Sequence, residues 1–134
     1  MDASHLRLLL VDDVEQTRSE LHELLGGYGF DILKAENGKE ALALLATHNV
    51  DLVITDQMMP EMDGLALLSA IRAEYPDTLV LLYSASPPLL HRDGSAPDFD
   101  SCLLKPASSE DIVATIHRLC HGKRQENQAV EKPL

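Results

Sequence analysis

Basic residues are scarce in this chain: 11 Lys and Arg stand against 22 Asp and Glu, for a formal net charge of -11 over 134 residues. Binding a phosphate backbone requires clustered Lys and Arg, so a nucleic-acid surface is excluded and the expected partners are proteins or cations. Cysteine is almost absent. Cys102 and Cys120, far apart in the chain, do not make a disulfide framework and read as reduced thiols of a cytoplasmic protein. No apolar run approaches the length of a transmembrane helix, and the opening Met-Asp-Ala-Ser-His is not a signal sequence, so no membrane partner is expected. There is also no internal repeat and no low-complexity tract. At this length, with 45% hydrophobic residues, one compact domain with one core is the expectation.

The most informative stretch is Asp51-Leu-Val-Ile-Thr-Asp56-Gln-Met-Met-Pro60-Glu-Met-Asp63-Gly64. Leu52, Val53 and Ile54 read as a strand buried on both faces, and the run ends at a carboxylate, Asp56. Pro60 then interrupts any regular ladder. Asp63-Gly64 supplies turn chemistry and an N-cap for a helix carrying Leu65, Leu68 and Ile71.

The rest of the chain repeats this strand–loop–helix alternation. Residues 6–11 form the first expected strand, ending at Asp12-Asp13. Helical spacing then holds from Val14 to Tyr28, closed by Gly26, Gly27 and Gly29. A less apolar strand covers 30–35, and Asn37 caps a helix through Ala41, Leu42, Leu45 and Ala46. Further strands are expected at 78–83, reaching Ser84, and at 99–104, reaching Lys105. Ser108-x-x-Asp111 looks like a capping box for a last helix with Ile112, Ile116 and Leu119. Between Ser84 and Phe99, however, Pro87-Pro88, Gly94 and Pro97 break the helix that the alternation calls for, so this fourth helix should be short, irregular or missing. The polar stretch 123–134 is read as a disordered tail outside a domain spanning 1–122. Met1 and the lack of a linker suggest a free-standing chain.

Five strands alternating with helices imply an α/β, doubly wound parallel sheet of flavodoxin-like order 2-1-3-4-5. In such sheets ligands bind beyond the carboxyl ends of the strands, where the strand order reverses. Asp12, Asp13, Asp56, Ser84 and Lys105 all follow strand ends; strand two ends in nothing comparable. Three facing carboxylates repel one another unless a cation lies between them, and an all-oxygen set suits Mg²⁺, or Mn²⁺, better than Zn²⁺. Lys105 and the Ser84 hydroxyl complete what a transferring phosphoryl group needs around an aspartate nucleophile.

Taken singly, each piece has a plainer reading: Asp12-Asp13 as a solvated turn or cap, Asp56 as a turn residue, Lys105-Pro106 as a common loop dipeptide. Their conjunction at four strand ends sets those readings aside. Other candidates stay weak. His22-Glu23 lacks any companion motif, and His117 and His121 at i, i+4 beside Cys120 suggest a solvated helix face more than a metal site. Met58, Met59 and Met62 read as loop packing.

At these residues the chain resembles the receiver domains of two-component response regulators, over about residues 6–120. Leu-Leu-Val-Asp12-Asp13 is similar to the family's acidic pair, Asp56-Gln-Met-Met-Pro60-Glu-Met-Asp63-Gly64 to its phosphoacceptor segment, Ser84-Ala85 to its Thr/Ser-Ala step, and Lys105-Pro106 to its lysine and following proline. The resemblance implies that Asp56 accepts a phosphoryl group from a phosphohistidine on a histidine kinase or histidine phosphotransfer protein. It also implies that Asp13 and Asp56 ligate Mg²⁺ with the backbone carbonyl of Met58, that Asp12 acts through water, and that Ser84 and Lys105 hold the phosphoryl oxygens. The Lys105-Pro106 bond is often cis in the family. Such a domain is a signalling module that regulates a protein partner and catalyses only its own phosphorylation and slow dephosphorylation.

Two departures stand out. The family's switch aromatic, three residues before the lysine, is replaced by Cys102, so a signal must travel by loop and helix movement. The helix-four to strand-five face, often used for dimerisation and output, should not serve in the usual way. Met58 and Ser86, at positions that tune hydrolysis in relatives, suggest a long-lived phosphoform. Two alternatives are a pseudo-receiver that only binds partners and an aspartate-nucleophile Mg²⁺ phosphatase of the haloacid dehalogenase type. The phosphatase signature Asp-x-Asp-x-Thr is missing, since Asp12 and Asp13 are adjacent and Thr17 is out of place.

Overall fold

The computed structural model describes residues 6–131. Its elements run β1 (Arg7–Val11), α1 (Glu15–Gly26), β2 (Asp31–Ala35), α2 (Gly38–Leu45), β3 (Leu52–Thr55), α3 (Gly64–Glu74), β4 (Leu79–Ser84), β5 (Ser101–Leu104) and α4 (Ser109–Glu131). The strands form one parallel sheet in the order β2-β1-β3-β4-β5, as the alternation requires. In β1 and β3 nearly every residue is buried, because helices cover both faces of a central parallel strand. Alternation along each strand divides the apolar residues between two cores. Leu8, Leu10, Leu52, Ile54 and Leu81 meet Leu25 of α1 and Ile112 and Ile116 of α4. Leu9, Val11, Val53 and Val80 meet Ala41 and Leu45 of α2 and Leu67, Leu68 and Ile71 of α3.

The caps are those the sequence suggests. Asn37 Oδ1 accepts from the Glu40 N–H at 2.8 Å, Asp63 Oδ1 from the Ala66 N–H at 2.8 Å, and Ser108 Oγ from the Asp111 N–H at 3.0 Å. Each satisfies an N–H that a helix start leaves orphaned, typically worth about 1 kcal/mol. Two boundaries differ from expectation. Helix α1 stops at Gly26 and leaves Tyr28 exposed, because the turn that follows needs the positive φ of Gly29 (90°). Helix α4 continues to Glu131, through most of the stretch expected to be an irregular tail. Residues 123–131 are rich in helix formers and contain no Gly or Pro, so nothing in them stops the helix that α4 begins. Positions 132–134 of that expected tail lie outside the described residues.

No helix forms between β4 and β5. Pro87, Pro88 and Pro97 remove backbone donors, and Gly94 turns the chain at φ 87°. Arg72 on α3 instead anchors the far end of this connection. Its guanidinium donates to Asp98 Oδ2 (3.2 Å), the Asp98 carbonyl (2.8 Å), Asp100 Oδ2 (2.7 Å) and the Thr78 carbonyl (3.1 Å). Asp100 Oδ2 also accepts from the Val80 N–H at 2.7 Å, which ties the loop to β4. The sheet face that a helix would have covered is bare at β5, where Cys102 and Leu104 are exposed.

The backbone amides of 89–98 are therefore expected to exchange with deuterium far faster than those of α3; protection equal to α3 would show a hidden helix. Arg72→Met should lower stability to urea by about 1–3 kcal/mol, since it leaves part-buried Asp100 and the Thr78 carbonyl short of a donor.

Candidate functional site

The sheet assembles the site by extending its hydrogen-bond ladders one residue past the strand ends. The Asp12 N–H donates to the Ala35 carbonyl (3.2 Å), the Asp56 N–H to the Val11 carbonyl (3.1 Å) and the Lys105 N–H to the Ser84 carbonyl (2.8 Å). Side chains from distant parts of the chain are thus set side by side on one edge. Carboxylate oxygens of Asp12, Asp13 and Asp56 all lie within 4.8 Å of one another, with Asp12 buried, Asp56 half-buried and Asp13 exposed. Lys105 Nζ enters this cluster at 3.0 Å from Asp12 Oδ2 and 3.3 Å from Asp56 Oδ2.

Burial of the Lys105 ammonium by itself lowers its affinity for a proton. The hydrogen bond and charge of Asp12, with the charge and hydrogen bond of Asp56, outweigh that effect and hold the pKa above its ordinary 10.5. What the lysine's raised pKa contributes to stability is therefore complete below that ordinary value and is lost as pH climbs through the raised one. Lys105 is charged across the physiological range.

Gly64 is what lets α3 start so close to the end of β3. A Cβ there would stand 2.5 Å from the Asp56 carbonyl oxygen and 3.0 Å from the Gln57 Cα. The Gly64 N–H donates to the Gln57 carbonyl at 2.9 Å. Asp56 Oδ1 accepts from the Gln57 N–H at 2.7 Å, leaving Oδ2 toward the lysine.

Ser84 is buried at the end of β4, with its Oγ accepting from the Ser86 N–H at 3.4 Å; among the described residues it makes no hydrogen bond to Asp56 or Lys105. Met58 is 65% exposed in the β3–α3 loop, and no backbone hydrogen bond among the described residues reaches its carbonyl oxygen. The Lys105-Pro106 bond is cis. Cys102 lies on the bare face of β5, and partial burial pushes its thiol pKa up. His22 belongs to a separate shallow groove on α1 with Ser19, Glu23, Gly26 and Lys34. His117 packs against Phe30 and His121, and the three-aspartate cluster is the only group of metal-ligating side chains among the described residues. Met59 is buried beside the Thr55 hydroxyl, and Met62 packs over Gly38.

Three residues of the site were not singled out from the sequence. Arg18 Nη1 donates to the Asp12 carbonyl at 2.6 Å. Tyr83 places its ring 5.5 Å from Lys105 Nζ and accepts at its hydroxyl from the Ala107 N–H at 3.1 Å. Gln57 is fully buried with both amide atoms unpartnered. Position next to a site residue was the available signal for Tyr83 and Gln57; for Arg18 it was a cation one helical turn into an otherwise acidic segment.

A parallel α/β sheet with three carboxylates and a lysine at its carboxyl edge defines a class of domain with one acidic pocket at the point where strand order reverses. The donor set, all carboxylate with no His or Cys, fits a hard cation such as Mg²⁺. Residues 8–117 match the model of the response regulator receiver domain, and the chain belongs to that family, the signalling domains of two-component systems. It is 35% identical to the transcriptional regulatory protein CpxR of Klebsiella pneumoniae over 91% of its length and 52% of that protein. It is 32% identical to the response regulator MprA of Mycolicibacterium vanbaalenii, over 94% and 55% respectively. The chain thus spans about half the length of these curated relatives. Among solved structures it superposes on the signal receiver domain of an HD domain-containing protein from Pseudomonas fluorescens, with a TM-score of 0.80, 29% identity and coverage of 90% and 98%. It is also similar to TrrA of Thermotoga maritima in complex with Mg²⁺-BeF, with a TM-score of 0.74, 32% identity and coverage of 85% and 98%.

Lys105→Met is expected to lower stability by about 1–3 kcal/mol at low ionic strength, because it leaves two carboxylates facing each other without the ammonium. Millimolar Mg²⁺ should recover most of the loss in urea titrations; recovery by NaCl alone at the same ionic strength would point to simple screening.

Proposed function

We propose that this chain is a phosphoacceptor receiver of a phosphorelay, with Asp56 taking a phosphoryl group from a phosphohistidine and the resulting change being read by a protein partner. The observation that carries this reading is the convergence of Lys105 Nζ on Asp12 and Asp56 within the three-carboxylate cluster. One oxygen of Asp56 attacks phosphorus. A P–O bond forms, the P–N bond breaks, and the departing imidazole keeps the bonding electrons and takes a proton from solvent. Asp13, Asp56 and the Met58 carbonyl are the groups suited to hold Mg²⁺, with Asp12 acting through water. When bound, the ion would neutralise charge developing on the phosphoryl oxygens. Lys105 is positioned to exchange its Asp56 contact for a phosphoryl oxygen, and Ser84, at the end of the neighbouring strand, to donate its hydroxyl to another once the 85–86 segment shifts.

The donor under this reading is a histidine kinase or a histidine phosphotransfer protein in the cytoplasm. The chain would act as a signalling domain with no turnover of a separate substrate. Exposed, apolar Met58 offers no polar group to orient a water against the phosphoaspartate, so the phosphoform should persist. Tyr83, through its contacts with Lys105 and Ala107, is placed to sense the lysine's movement in the absence of the usual aromatic at Cys102.

Incubation with acetyl phosphate and Mg²⁺ should add one phosphoryl mass to the intact chain. The adduct should be lost in Asp56→Ala and in the presence of EDTA. An inert chain would favour a partner-binding pseudo-receiver, and continuous release of phosphate would favour a phosphatase. Met58→Asn is expected to shorten the adduct's half-life several-fold, about 1 kcal/mol in barrier, as followed by mass spectrometry.

A further inference from the structure

Asp13 poses a positioning problem. It is exposed, and its side chain makes no hydrogen bond or ion pair among the described residues, yet its carboxylate lies in the cluster with two others that repel it. Its direction must therefore come from the backbone. Two bonds shape that backbone. The Val14 N–H donates to Asp12 Oδ1 at 2.9 Å, closing the turn from one side. From the other side, Arg18 Nη1 donates to the Asp12 carbonyl oxygen at 2.6 Å. A peptide unit is planar, so holding the oxygen of Asp12 fixes the plane that carries the Asp13 N–H and Cα. Arg18 also lines the cleft shared by Asp12, Asp56 and Tyr83, so its charge lies beside the same acids.

We propose that Arg18 is a positioning residue for the divalent-cation site, its grip on the Asp12 carbonyl being what aims Asp13 at the ligand position. The inference rests on the phosphoacceptor reading above, in which Asp13 is a metal ligand. Two physical effects of removing the guanidinium have opposite signs. Loss of a positive charge near the site would, by Coulomb's law, tighten binding of a cation. Loss of the aim of Asp13 would weaken it. Residues that orient a metal's ligands typically govern affinity by 10–100-fold, which is enough for positioning to win.

Titration calorimetry of Mg²⁺ into the full chain, with Arg18→Gln, Arg18→Met and Arg18→Lys beside the wild type, separates these effects. The Gln and Met variants are expected to raise the Mg²⁺ Kd about tenfold, while Lys, which keeps a donor long enough to reach the carbonyl, recovers part of the loss. Thermal midpoints without Mg²⁺ should stay within a few degrees of the wild type, which a purely structural role would not allow. An unchanged or lower Kd in Arg18→Gln or Arg18→Met overturns the proposal and leaves the phosphoacceptor reading intact. A wild-type chain that binds no Mg²⁺ overturns both.

Discussion

One ammonium between two carboxylates organises this protein. Asp12 and Asp56 end adjacent parallel strands, and Asp12 is almost wholly out of solvent. Without a cation between them their repulsion would act directly on the β1–β3 pairing, at the centre of the sheet. Lys105 comes from beyond β5, two strands away from β3, so the contact it makes spans the part of the sheet where the connection is least regular. The site therefore ties together segments that no helix joins between β4 and β5, and the same three groups would carry the proposed chemistry. Stability and function share one set of charges, as in other pockets where ionisable groups are forced together.

The connection between β4 and β5 shows how a domain can lose a helix and keep its pocket. What the pocket needs from this region is the end of β4 and the start of the segment after β5. Both are fixed by ladder bonds such as that from the Lys105 N–H to the Ser84 carbonyl, while Arg72, holding Asp98 and Asp100, anchors the chain just before β5. The helix itself contributes nothing to those bonds. Its absence instead changes the outer face, where Cys102 and Leu104 stand uncovered. A partner that reads a helix at this position would find none here. A change in the pocket would have to be carried outward by the loops after β3 and β4 or by the start of α4, to which Tyr83 connects through Ala107.

Much of this arrangement was legible in the sequence. Continuous apolar runs at 6–11 and 52–55 identify buried parallel strands, Pro87, Pro88 and Pro97 announce the lost helix, and Asn37, Asp63 and Ser108 announce helix starts. The convergence of Asp12, Asp13, Asp56 and Lys105 followed from strand order alone. Other features were beyond a reading by periodicity. The length of α4 depends on a polar run with helix-forming residues but no apolar stripe to mark it. Arg18 and Tyr83 act through a carbonyl oxygen and a ring face, contacts that leave no spacing signature. The buried Gln57 amide runs against the pattern altogether, since an interior position beside α3 would be read as apolar.

The three carboxylates look alike in sequence and are unlike in the fold. Asp12 has every polar group engaged: its N–H with the Ala35 carbonyl, its own carbonyl with Arg18, Oδ1 with Val14 and Oδ2 with Lys105. Asp56 is engaged in the same way: its N–H with the Val11 carbonyl, its own carbonyl with the Thr55 hydroxyl, Oδ1 with the Gln57 N–H and Oδ2 with Lys105. Asp13 is bound to nothing among the described residues. Of the three acids Asp13 is thus the freest, and under the proposed function it is the one a cation can take with the least to give up. What sets Asp13 apart from the other two is its place in the turn after β1 rather than any difference in the acids themselves.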